Sequence, residues 1–117
     1  MKEIQAREDI QLLIDAFYAK VKQDDLLAPL FSHVDWPYHL PVIYNFWSSV
    51  LLGDQSYKSN PFEKHRDLLL STKHFDRWLL HFEHTVDENF AGEKAEEAKQ
   101  RANSIAGIFQ HKLGLLE

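Results

Sequence analysis

The chain has 117 residues, 44% of them hydrophobic and 26% charged, with a formal net charge of -5. That is the size and composition of one ordinary globular domain, spanning 1–117. Its acidity argues against a nucleic-acid partner or a polybasic membrane anchor. The absence of cysteine excludes disulfides, thiol catalysis, Cys-ligated zinc, iron–sulfur clusters and thiolate-ligated haem. The N-terminal residues lack the apolar core of a signal peptide and no run is long enough to span a bilayer, so no membrane partner and a cytoplasmic location are expected.

Five helical segments are predicted, in an all-α chain. The first covers about 8–23, where Ile10, Leu13, Ile14, Phe17 and Val21 share a face and Asp24-Asp25 ends the run. A tight stretch over 26–34 contains Pro29 and the bulky Phe31. The second helix opens at Asp35 as N-cap, tolerates Pro37 in its first turn, and aligns Leu40, Ile43, Trp47, Val50 and Leu51. Pro41 predicts a 3₁₀ start or a bend, and Gly53 a stop. After a polar loop, Asn60, Pro61 and Glu63 read as the cap, first residue and capping-box partner of a short third helix that carries His65. Thr72 is the expected cap of a fourth helix with Phe75, Trp78, Leu79, Phe82 and Val86 as its stripe. The fifth covers about 93–113, with Ala95, Ala98, Ala102, Ile105, Phe109 and Leu113 inward and Gly114 as its stop.

Certain side chains on these helices can carry chemistry. His65 is one of seven histidines, and a neutral imidazole on a rigid element is a ready metal ligand. His39, Ile43 and Trp47 are spaced four apart and stack along one side of their helix. Tyr18, next to Phe17, sits where an apolar stripe meets a polar side, so its ring can be buried with its hydroxyl aimed inward. Trp78 lies within its stripe, and a buried indole N–H needs an acceptor. Three donors on three helices could thus meet at one interior point.

These segments, in this order, resemble the truncated haemoglobins, and among them the third group. The resemblance rests on Phe17-Tyr18, Leu30-Phe31, Trp36-Pro37-Tyr38-His39, Asn45-Phe46-Trp47, Leu51-Leu52-Gly53, Tyr57 with Pro61 and Lys64-His65, and the run from Phe75 to Phe82. The glycine-pair motifs of other truncated globin groups are absent, as is normal for the third. The resemblance implies a two-over-two helical sandwich around haem b, iron protoporphyrin IX. In it His65 ligates the iron, and Tyr18, His39 and Trp78 line the opposite, distal side. Phe31, Ile43, Trp47, Phe62, Lys64, Phe75 and Phe82 are then cofactor contacts. Lys64 and Arg66 either pair with the haem propionates or form a solvated helix face.

The implied ligands are O₂, NO, CO or peroxide. Three distal donors exceed what reversible oxygen carriage requires, so nitric oxide dioxygenation or peroxide reduction, fed by an unknown reductase, is expected beside simple binding. The alternative is a helical module without haem that binds a protein or an apolar ligand. His81, His84 and Glu88 have spacings used in di-iron bundles, but the other helices supply no matching set, so His81 and His84 are expected at the surface.

Overall fold

The computed structural model describes residues 2–32, 34–55 and 71–115. The proposed third helix, with Phe62, Lys64, His65 and Arg66, lies outside the described residues. Among the described residues there are four α-helices: α1 (Arg7–Lys22), α2 (Trp36–Leu52), α3 (Thr72–Asn89) and α4 (Glu93–Lys112), with a 3₁₀ turn (Ala28–Phe31) between the first two. Helix α1 packs on α2, and α3 on α4. The two pairs are joined by α1 against α3 and α2 against α4. The only sheet-like pairing among the described residues is an isolated bridge between Lys2 and Phe90.

Helix α1 starts where the carboxylate of Asp9 accepts the backbone N–H groups of Gln5 and Ala6, two donors a helix N-terminus leaves over. Lys2 pairs with the same carboxylate at 2.8 Å. The predicted stripe is the core: Ile10, Leu13, Ile14, Phe17 and Val21 are fully buried. After α1 the Asp24 carboxylate takes the N–H of Leu26 at 2.8 Å and of Leu27 at 3.2 Å, which turns the chain and buries Leu27.

Helix α2 begins at Asp35, whose carbonyl accepts the N–H of Tyr38 and of His39. It runs unbroken through Pro41, an exposed position, in place of the expected 3₁₀ start. It stops at Gly53, with φ +71°. Helix α3 is capped one residue earlier than expected. Ser71 is the N-cap, and its N–H donates to the His74 ring nitrogen at 2.9 Å.

Gly92 links α3 to α4 at φ +106°, and a Cβ there would lie 2.3 Å from a Glu3 carboxylate oxygen. Glu3 in turn accepts the N–H of Lys94 at 2.8 Å, so the N-terminal segment closes over this turn. In α4 the small side chains Ala95, Ala98, Ala102 and Ala106 are all buried, and α3 and α2 pack on this helix.

Candidate functional site

Helical spacing on α1 puts Phe17 at the centre of the molecule and Tyr18 beside it, at the rim of the core. Phe17 is fully buried, and Tyr18 is 8% exposed. Phe17 meets Trp78 and Phe82 edge-on, with ring centres 5.5 and 5.2 Å apart. Trp78 and Phe82, one helical turn apart on α3, stack at 5.7 Å and 12°. Phe82 stacks in turn on Trp47 of α2 at 4.8 Å and 24°. Trp47 is reached because it lies on the inner side of α2, where it and Leu51 are buried.

Tyr18 extends the ring cluster in the other direction. Phe31 of the 3₁₀ turn lies 6.0 Å from it and Trp36 of α2 lies 5.2 Å from it. His39, one turn after Trp36, packs edge-on against the Trp36 indole at 6.3 Å. Edge-to-face and offset ring pairs at these separations are favourable in themselves, so the cluster is a rigid wall.

The hydroxyl of Tyr18 is the polar point in this wall. Burial pushes its phenol up to about 12, and a hydrogen bond with Trp78 acts in the opposite sense as the smaller effect. An indole can only donate, so the Tyr18 oxygen is the acceptor and its own proton remains available to a further group. The phenol therefore stays neutral and a donor across the physiological range. Two donors from two helices thus converge among aromatic rings. Such a surface suits a large, flat, apolar ligand that presents a small electron-rich group, and haem with a diatomic ligand has that chemistry. The apolar face of α2 adds Leu40 and Ile43, both half-buried against the core.

Tyr18, Phe31, Trp47, Trp78 and Phe82 thus form one continuous surface. His39 joins it through Trp36. Ile43 borders it from α2. Phe75 is buried in a second cluster with Ala106 and Phe109, which touches the first through Trp78. Phe62, Lys64 and His65 lie outside the described residues. Among the described residues no group of three or more His, Asp or Glu side chains could hold a metal ion.

Sequence reading gave Trp36 no role, although it shares a helix face with His39 three residues on. It also missed a polar cluster behind the rings. The buried Asp24 carboxylate accepts hydrogen bonds from Arg77 at 2.8 Å and lies 2.6 Å from His81 Nε2. His81, expected at the surface, is partly buried by this contact, whereas His84 is exposed. Burial works against the Asp24 charge. The hydrogen bonds from His81, Arg77 and the Leu26 and Leu27 N–H groups outweigh it and hold the carboxyl well below the usual range. Arg77 and His81 bracket Trp78, so this cluster ties the end of α1 to the part of α3 that carries the indole.

Known proteins resemble the chain over almost its full length. The family described as bacterial-like globin matches residues 2–111. The group 3 truncated haemoglobin ctb of Campylobacter jejuni is 35% identical over 114 residues, covering 92% of this chain and 90% of that protein. The group 1 truncated haemoglobin GlbN of Nostoc commune is 26% identical over 105 residues, covering 88% and 89%. The crystal structure of a group III truncated haemoglobin from Campylobacter jejuni superposes with a TM-score of 0.88 at 36% identity, covering 97% of this chain and 95% of that one.

Proposed function

The chain belongs to the bacterial-like globin family and is a truncated haemoglobin of the third group, and we propose that it binds haem b through His65 and takes O₂ or another diatomic ligand beside Tyr18 and Trp78. Haem, when bound, would supply an iron able to take a small ligand such as O₂.

The observation that carries it is the buried Tyr18 side chain, its phenol kept neutral by burial, set in the ring cluster that also holds Phe17, Phe31 and Trp78. Tyr18 would donate a hydrogen bond to a small electron-rich ligand, with the Trp78 indole orienting the phenol. Phe17 and Phe82 pack against the Trp78 ring, edge-on and stacked, and hold its orientation. His39 enters at the rim, beside Trp36, where it adds a polar group. Phe31, Ile43, Trp47, Phe75 and Phe82 are the apolar contacts of the macrocycle, with Phe62 and Lys64 on the side of His65.

A hydrogen bond to a charged partner contributes about 1.5–3 kcal/mol, which slows ligand release roughly tenfold or more. A phenol donor held in place by the Trp78 indole therefore favours retention of O₂ over rapid exchange. The candidate reactions are nitric oxide dioxygenation, in which the retained O₂ would react with NO, and peroxide reduction, in which peroxide would take the place of O₂ and a reductase would supply the electrons. The test is stopped-flow O₂ release from wild type, Tyr18→Phe and Trp78→Phe. Release accelerates on the order of tenfold in Tyr18→Phe. Wild-type release rates in all three proteins would refute the donor roles.

A further inference from the structure

Trp36 occupies a position that no role assigned above explains. It is the first residue of α2, and it reaches from the surface to the Tyr18 ring. One face stacks on Phe31 at 5.9 Å and 30°. Its tilted contact with Tyr18 is 5.2 Å between centres, and its edge-on contact with His39 is 6.3 Å. The ammonium of Lys22, from the last turn of α1, sits over the indole 4.4 Å from the ring centre. Trp36 is half-buried, whereas Lys22 is exposed. A single indole thus bridges the end of α1, the 3₁₀ turn and the start of α2, and touches two of the three polar side chains of the distal side.

This arrangement has a mechanical consequence. A tyrosine ring can swing about its Cα–Cβ bond unless neighbours block it. Phe17 limits Tyr18 on the core side, at 4.7 Å, and Phe31 and Trp36 limit it on the rim. Phe31 and Trp36 are themselves stacked, so displacing the indole frees both rim contacts together. His39 has the same indole as a neighbour on its own helix face. The positions of both polar groups are therefore coupled through one ring, and that ring is held down by a cation–π contact open to solvent and salt.

We propose that Trp36 is a positioning residue, a wedge pinned by Lys22 that fixes the orientations of Tyr18 and His39 and thereby controls access and retention of a diatomic ligand at the haem. The inference rests on the haem reading for its ligand but not for its geometry. Lys22 acts as the latch and the ring cluster as the hinge seat. Weakening the latch loosens both donors without removing either.

The experiment uses Trp36→Leu, Trp36→Phe and Lys22→Met, each with and without haem. In the haem-free proteins, NMR reads the Tyr18 ring. Separate resonances for its two sides, or slow averaging, are expected in wild type and Trp36→Phe, and fast averaging in Trp36→Leu. With haem and CO, infrared absorption of the bound ligand reads the field of the distal donors. Wild type and Trp36→Phe give one narrow band, and Trp36→Leu gives several. CO association after flash photolysis rises severalfold in Trp36→Leu and by a smaller factor in Lys22→Met. Added salt raises the rate in wild type but not in Lys22→Met.

Unchanged ring averaging, band and association rate in Trp36→Leu overturn the proposal, whatever the melting temperature does. If Trp36→Leu does not fold, Lys22→Met decides: a wild-type band with the wild-type rate at every salt concentration overturns it. Failure of the haem reading itself shows as a wild-type protein without a Soret band. The NMR comparison then still tests the wedge.

Discussion

Replacing Asp24 tests how the ring cluster is anchored. The Asp24 side chain is only 3% exposed, and its carboxylate serves four donors: His81, Arg77 and the N–H groups of Leu26 and Leu27. In Asp24→Ala the Leu27 N–H is left buried without its acceptor, at a cost of about 1–3 kcal/mol. Arg77 is 44% exposed and regains water, so little is lost through that pair. Its partly buried neighbour His81 adds a smaller term, and the total is about 2–4 kcal/mol. For a domain of this size that is a drop in Tm of roughly 10 °C, read by circular dichroism at pH 7.

The sign with pH is fixed. The folded-state carboxyl lies below its unfolded value of 3.8, so its contribution is present above that pH and is lost as pH falls. The gap between wild type and Asp24→Asn is therefore full near neutrality and narrows below about pH 4. A loss under about 0.5 kcal/mol at pH 7, or a gap independent of pH, refutes the anchoring argument.

Other outcomes follow from the same structure. Phe82→Ala removes a fully buried ring on which Trp47 and Trp78 both stack, and costs about 3–5 kcal/mol in urea unfolding. Gly92→Ala combines φ +106° with a Cβ placed 2.3 Å from Glu3, and lowers stability by about 1–3 kcal/mol; Glu3→Ala relieves the clash but not the backbone strain. Burial pushes both Tyr18 and Tyr44 up to about 12, with the Asp15 carboxylate as a further cause for Tyr44. Both raised values stabilise the fold below about pH 10, and that stability is lost as pH rises through 12. Phenolate absorbance then shows late-ionising tyrosines, one fewer in Tyr18→Phe and one fewer in Tyr44→Phe.

The legible parts of the fold are those set by local chemistry. The α1 stripe is a short-range pattern, and its members are the core. Gly53 and Gly114 end their helices at positive φ, as expected where a chain must turn without a Cβ. The start of α3 was misplaced by one residue because the His74 ring, unlike the usual Glu or Gln, completes the cap of Ser71. Pro41 does not impose the expected 3₁₀ start, because an exposed proline near a helix start costs only one early hydrogen bond.

For the site, Tyr18, Trp47, Trp78 and Phe82 were legible because each falls on an inward face. Trp36 was not, since its partners are Lys22, Tyr18 and Phe31 on other elements. Asp24 and His81 lie 57 residues apart, and no local signal joins them.

The central claim is that these rings line a haem site. Titrating the haem-free protein with haemin while following the Soret band tests it most directly. The account predicts saturation at one equivalent in wild type, with the spectrum of a histidine-ligated haem that changes in His65→Ala. A folded wild-type protein that develops no Soret band would contradict it.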